Sequence, residues 1–454
     1  MIDFNEIGKY KENNRIEAKK ALGGLPESIW ETYSAFANTL GGILLLGVEE
    51  LPGKTLRCID LPDPENMVRR FHALLQDRTK VSADILSKDD VQIHEIGGNH
   101  MISIHVPRAQ RTERPVYIGR DAFSGTYRRN GEGDYRCTEE EVRAMLRDAA
   151  VQTPDLRICE EFRIGDLRRE TIARCCAGGD GTTGKDCTDF LIRTGGAAIG
   201  ADGKPYPTGA GILLFGEIGA ILSLYPEYRL SYTDPSGKTK WYETNILDFY
   251  FAVCAEIAGA CLAAADPDIR RGICEAFSNC LINTDYYAPG GIRAEAGDGC
   301  IAFSNPGSFR IRKESAYTGG ISDPRNAGIF RSFQYMGIGK GTGSGLQNIY
   351  YVWKQHGFAV PEIQEEFQPD RITILLPLTG AVRKSKIHSG SAEIEAGTTA
   401  IIEYLTKNVS ATTSQLSGAL GFSLQDTRGF LAVLRTKEIV TESPNGSGIF
   451  RLKA

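Results

Sequence analysis

The sequence predicts an α+β multidomain protein, and three observations carry that prediction. The chain has 454 residues, a length that suits about three domains. Its apolar spacing changes along the way: helix and strand signals alternate over residues 1–150, and long helices precede strands up to about 380. Residues 381–397 (AVRKSKIHSGSAEIEAG) are then polar and small, as in a linker, before a last compact unit at 398–454. No apolar run reaches the ~18 residues that would span a bilayer, so no membrane partner is expected. The first residues, MIDFNEIGKYKENN, lack the charged-then-apolar pattern of a secretory signal, and the expected location is cytoplasmic.

In the first domain, Ile29, Trp30, Tyr33, Phe36, Ala37 and Leu40 recur at helical spacing within Pro26–Leu40. Gly41-Gly42 stops that helix, and Ile43–Val48 reads as a buried strand. His100–Val106 and Val116–Gly119 read as further strands, and Thr138 with Glu141 forms a capping box that opens a closing helix. Residues 151 to about 210 are a less regular lead-in to the second domain, with Ala177–Asp189 expected as a loop. Thr208–Phe215 and Tyr228–Tyr232 read as strands, Asn245–Ala265 and Ile269–Thr284 as helices. Ile292–Glu295 and Cys300–Ser304 are strands joined by a Gly-Asp-Gly turn, and Ile372–Leu376 is the last strand. The pattern is an α/β sandwich with helices on one face of a mixed sheet. In the final unit, helices at Thr398–Lys407, Thr413–Leu420 and Ser423–Thr436 and a hairpin at Ile439–Leu452 make the pattern of a winged helix.

A net charge of −5 argues against bulk electrostatic binding of nucleic acid. Locally the balance differs: Arg108, Arg111, Arg114, Arg120, Arg128, Arg129 and Arg136 outnumber the acids among them, so this stretch is either a phosphate-contacting face or a solvated surface. The 11 cysteines are scattered with no C-x-x-C pair, which fits small reduced core residues. Six histidines without ligand spacing argue against a Cys/His metal site.

The run Gly337-Ile338-Gly339-Lys340-Gly341-Thr342-Gly343-Ser344-Gly345 places glycine at every second position and leads into a helix. Each glycine costs a helix roughly 1 kcal/mol relative to alanine. In return its backbone N–H groups can approach an anion closely, so the run is either a flexible loop or a phosphate site at a helix N-terminus. Upstream, Glu275 and Asn279 are spaced i, i+4 and share one helix face. A carboxylate and a carboxamide one turn apart can orient water and ligate Mg²⁺; alone, the pair would read as solvated surface.

Together with Asp285-Tyr286, Ser304-Asn305-Pro306-Gly307 and Asp323-Pro324-Arg325-Asn326, these residues resemble the GHKL-type ATPase fold. The version they are most similar to is the C-terminal domain of RecG-like transcriptional regulators, over roughly 210–380 of a domain set at 151–380. The resemblance implies ATP and Mg²⁺ as cofactors, Glu275 as the water-activating base and Asn279 as the Mg²⁺ ligand. It also implies Gly339, Gly341, Gly343 and Gly345 as a phosphate lid, with Asn305 and Gly307 beside the adenine. Cys274 stands where the family commonly has Arg, and Asn283-Thr284 where it has His-Arg, so turnover is left open. Without a G-x-x-x-x-G-K-[ST] loop no helicase motor is implied.

Glu12, Glu17-Ala18-Lys19, Gly24-Leu25-Pro26, Ser34 to Leu40 and Gly41 to Val48, closed by Arg128-Arg129-Asn130-Gly131, look like a Schlafen AlbA-type domain over about residues 8–150. That resemblance implies nucleic-acid binding, with Arg128 and Arg129 as contacts. In some members it implies RNA cleavage by three acids on Mg²⁺ or Mn²⁺, here Glu12, Glu17 and Glu50. The alternative is that Glu17 and Lys19 form a structural ion pair and Asn38 ties down backbone. In the winged-helix unit Gln425 and Arg428 are candidate DNA contacts. The expected function is an ATP-responsive, DNA-binding transcriptional regulator, with RNA as the alternative nucleic acid and a homo-oligomer, a dimer among the options, as the expected assembly. A metal-dependent nuclease and a scaffold with decayed sites are the competing readings.

Overall fold

The computed structural model describes residues 4–131, 133–176, 186–297, 299–311, 322–339, 345–379, 392–408, 410–420, 422, 427, 430–431, 434–435, 439–442 and 449–453. It is a mixed α+β chain built on several separate sheets.

The first sheet has four strands. Ile16–Lys19 runs parallel to Gly42–Leu46, which pairs antiparallel with Asn99–Val106, and that strand with Val91–Ile96. The Ile29–Asn38 helix makes the crossover that two parallel strands require. It is buried almost all round, Trp30 stacking on Phe71 of the Pro64–Leu75 helix at 5.4 Å. The predicted Gly41-Gly42 stop holds for a steric reason. Gly41 has φ +72° with a Cβ position 2.8 Å from the Val106 carbonyl, and a Cβ on Gly42 would sit 2.6 Å from the Phe36 ring.

Polar residues buried in this helix all find partners. Ser34 Oγ donates to Val116 O at 2.7 Å. Asn38 donates to Val116 O and Tyr127 O and accepts from Val116 N at 2.8 Å. Val116–Gly119, expected as a strand, makes only isolated bridges, Tyr117 with Thr126 and Ile118 with Val81. Its N–H groups find scattered acceptors instead: Asn38 for Val116, Ser82 Oγ for Tyr117, and the Gly125 and Lys80 carbonyls for Ile118 and Gly119. The Thr138 capping box is present as predicted and opens the Glu139–Ala149 helix.

The second sheet has six strands in the order Thr239–Tyr242, Leu230–Thr233, Ile292–Gly297, Cys300–Pro306, Arg371–Pro377, Glu362–Glu366. Only Leu230–Thr233 with Ile292–Gly297 is parallel. Alternate residues Ile292, Ala294 and Ala296 are buried while Arg293 is exposed, the mark of a strand covered on one face. The covering helices are Ile246–Ala260, Pro267–Asn283 and Gly345–Gln355. Phe277 stacks on Phe303 of the sheet at 4.7 Å, and Gly272 leaves room for Trp353, whose ring would lie 2.6 Å from a Cβ there.

Thr208–Phe215 is not the expected strand but a helix, Gly209–Phe215, with Thr208 as its N-cap accepting from Gly211 N at 3.1 Å. An apolar run of this length suits a buried helix as well as a buried strand, and the capping threonine decides. Of the expected 177–189 loop, 177–185 lie outside the described residues and Asp186–Thr194 is helical.

The last unit joins the Ala392–Asn408 and Thr413–Leu420 helices to a three-stranded sheet, Ala411–Thr412, Ile449–Leu452, Val440–Glu442, over a core of Ile401, Leu405, Leu416, Leu431, Leu434 and Phe450. Gln425 and Arg428 lie outside the described residues.

Candidate functional site

The Pro267–Asn283 helix positions the predicted acid and amide. Asp266 caps it, accepting from the N–H groups of Asp268 and Ile269, and Pro267 occupies its first position. One side of the helix packs Ile273, Ala276, Phe277 and Leu281 into the core. Glu275, Ser278, Asn279 and Asn283, at i, i+3, i+4 and i+8, line a cavity of about 190 Å³. Ile363, Ile372, Ile374 and Phe303 of the sheet give it an apolar floor. Asn305, Ser308–Ile311 and Asp323–Arg325 give it a polar wall. Gly339 and Gly345 complete the lining, on either side of 340–344, which lie outside the described residues together with Gly341 and Gly343.

Thus Glu275, Asn279, Asn305, Gly339 and Gly345, scattered over some seventy residues, converge on one cavity. The contacts are close. Gly339 has φ +72°, and a Cβ there would lie 3.4 Å from Glu275 Oε2; a Cβ on Gly345 would lie 2.5 Å from Glu275 Oε1 and 3.2 Å from Asn279 Nδ2. The start of the Gly345–Gln355 helix therefore abuts the carboxylate and the carboxamide, and a Cβ at Gly345 would displace the Glu275 carboxylate. Among the described residues the Asn279 side chain makes no hydrogen bond, whereas Asn305 Nδ2 is turned to the Asn283 and Pro306 carbonyls at 3.3 and 3.0 Å. Gly307 does not line the cavity. At φ +112° it packs on the Arg325 guanidinium, in a position with no room for a Cβ.

The expected nucleic-acid contacts Arg128 and Arg129 require a correction, because both are buried in ion pairs. Arg128 makes a bidentate pair with Asp370 at 2.6 and 2.7 Å. Burial works to lower its pKa, but the Asp370 carboxylate overrides burial and holds it above the usual value. Arg129 bonds Glu17 at 2.8 Å and Asp134 at 2.9 Å. Much of the arginine-rich stretch is neither a phosphate face nor a solvated one: it docks the first domain on the second. Arg108 grips Glu365 through both Nη atoms and also donates to Phe309 O. Arg111 pairs with Asp323, Arg114 donates to Phe309 O, and Arg325 holds Asp148 at 2.7 and 2.8 Å. Burial pushes the Arg114 pKa down to about 9. Asp323 and Arg325 belong to a motif visible in the sequence, but their part in this seam was not legible there.

At the other candidate site, Glu12 accepts from Ala18 N at 2.9 Å. Burial raises its carboxyl pKa, and the nearby Glu17 and Glu50 raise it further. Glu17, however, pairs with Lys19 at 3.0 Å as well as with Arg129. Among the described residues no group of three or more His, Cys, Asp or Glu is arranged to hold a metal ion. Nor is any helix among them long and apolar enough to cross a membrane.

Residues 12–138 match the family described as Schlafen, AlbA_2. Residues 143–231 match a domain of unknown function, DUF8451. No curated protein matches the chain. Among solved structures, the N-terminal domain of a DNA helicase RecG-related protein from Nitrosomonas europaea is 31% identical, over 30% of this chain and 90% of that one, with a TM-score of 0.24. The DIP2311 protein from Corynebacterium diphtheriae is 17% identical, over 97% of this chain and 80% of that one, with a TM-score of 0.42.

Proposed function

We propose that this chain, whose residues 12–138 match the Schlafen, AlbA_2 family, is a nucleic-acid-binding regulator whose second domain, GHKL-like, responds to ATP. One observation carries the nucleotide part: Glu275, Asn279, Asn305, Gly339 and Gly345 line a single cavity. The donor set suits the group, since a carboxylate and a free carboxamide offer the hard oxygens that Mg²⁺ prefers. Asn279 would hold the ion, Glu275 would take a proton from the attacking water, and the 339–345 backbone would lie over the phosphates. Mg²⁺-bound ATP supplies the negative charge and the transferable phosphoryl group. The cavity of about 190 Å³ falls short of the ~300–1,000 Å³ usual for small-molecule sites, so binding entails widening it.

The nucleic-acid part rests on the family, with the last unit as a winged helix that contacts DNA. The test is a thermal-shift titration with Mg-ATP, run beside fluorescence anisotropy on labelled duplex DNA and RNA. Saturation at ~100 Kd adds roughly 2.7 kcal/mol to a one-site protein. Asn279→Ala should abolish the shift, and an unshifted wild type would remove nucleotide from the reading. Cleavage at Glu12, Glu17 and Glu50 is the competing reading, against which Glu17 is held by Lys19 and Arg129 and no metal-holding group occurs among the described residues. Mn²⁺-dependent RNA or DNA cleavage that vanishes in Glu17→Ala would establish it over simple binding.

A further inference from the structure

Cys254 and Cys274 lie on neighbouring helices, Ile246–Ala260 and Pro267–Asn283, and their Sγ atoms are 3.3 Å apart. Both are half-buried, so small oxidants can reach them. A disulfide needs the sulfurs at about 2.05 Å, roughly 1.3 Å closer than they stand here. The pair is also chemically asymmetric. When Cys274 ionises, the Cys254 S–H donates to it. Tyr250 and Arg270 add to that effect and, against burial, bring the Cys274 pKa down to about 7. The Cys254 pKa is pushed up, first by that same hydrogen bond and then by burial. Of the two thiols, Cys274 is thus the more readily ionised.

We propose that Cys254 and Cys274 are a modification site that peroxides convert to an intramolecular disulfide. The Cys274 thiolate sulfur attacks one oxygen of hydrogen peroxide, the O–O bond breaks, and hydroxide leaves; Cys274 becomes a sulfenic acid. The Cys254 sulfur then attacks the sulfenic sulfur, the S–O bond breaks, and the hydroxyl group departs as water with the Cys254 proton. In sum two thiols and one peroxide give one disulfide and two waters. The bond would tie the helix that carries Glu275 and Asn279 to its neighbour, and the proposal stands whether or not that helix binds nucleotide.

The experiment treats the fully reduced chain with hydrogen peroxide, alkylates it with iodoacetamide under denaturing conditions, and reads intact mass and peptide map. Two of the 11 thiols should escape alkylation, map to a Cys254–Cys274 linkage within one chain, and return on treatment with dithiothreitol. Cys274→Ser should lose the linkage, and Cys254→Ser should leave Cys274 as a sulfenic acid that dimedone captures. Full alkylation of both residues after peroxide would overturn the proposal. So would linkage through other cysteines, or a bond found only between two chains.

Discussion

Replacing Asp370 by asparagine tests the docking seam at its best-defined pair. The Arg128 side chain is 2% exposed and spends both Nη atoms on Asp370, at 2.6 and 2.7 Å. In Asp370→Asn the guanidinium stays buried, and its nearest carboxylate is Glu141 at 3.6 Å. Two charge-assisted hydrogen bonds of about 1.5–3 kcal/mol each are weakened, and breaking one partner of a buried pair costs about 3–5 kcal/mol. At about 2–4 °C per kcal/mol for a unit of this size, the melting transition should fall by roughly 6–20 °C. Differential scanning calorimetry measures this directly. The exposed i, i+4 pair Glu139–Arg143 is the control, since Arg143→Ala there should cost under about 1 kcal/mol. The double change Arg128→Met with Asp370→Leu should recover most of the loss, because it removes both charges rather than orphaning one. A shift for Asp370→Asn no larger than the control's would refute the reasoning, for Arg128 would then be finding water.

Two further outcomes follow from the same hydrogen-bond accounting. Asn38→Ala removes the acceptor of Val116 N and donors to two carbonyls in a buried site, and should cost about 2–4 kcal/mol, read from the midpoint of denaturant unfolding. Burial works to raise the pKa of Asp148, yet Arg325 foremost, with Arg310 and Arg114, holds it below the usual carboxylate value. A depressed carboxylate stabilises the fold above its unfolded pKa, about 3.9, and loses that contribution as pH falls through its lower folded value. Melting profiles between pH 7 and pH 3 should therefore fall more steeply at the acid end for wild type than for Asp148→Asn.

Local pattern made much of this fold legible. The Ile29–Asn38, Ile246–Ala260 and Pro267–Asn283 helices lie where apolar spacing placed them, and Thr138 and the Gly41-Gly42 stop announced themselves chemically. Glu275 and Asn279 were legible as a pair because one helix turn brings i and i+4 together. Gly209–Phe215 was missed because a short apolar run has no period of its own. The seam was missed for a different reason. Arg128 and Asp370 stand 242 residues apart, and nothing near an arginine in sequence tells whether water, phosphate or a distant carboxylate will face it. Glu17 and Lys19, by contrast, are the ion pair that their spacing allowed.

The seam and the cavity share their wall, and this bears on how the proposed nucleotide response would reach the first domain. Phe309 lines the cavity, while its carbonyl accepts from Arg108 and Arg114 of the first domain. Asp323 and Arg325 also line it, and they are the partners of Arg111 and Asp148. A wall that moves to admit a ligand must therefore lengthen or remake these bonds. Packed interfaces of this kind switch between discrete arrangements rather than yielding gradually. If the proposed nucleic acid ligand of the first domain also binds one docking arrangement better, the coupling free energy between it and the nucleotide is the same in both directions. ATP affinity and nucleic-acid affinity should accordingly change by the same factor when the other ligand is present. In Asp370→Asn one seam contact is lost while Arg108–Glu365, Arg111–Asp323 and Arg325–Asp148 stay in place, so that factor should move toward one without reaching it.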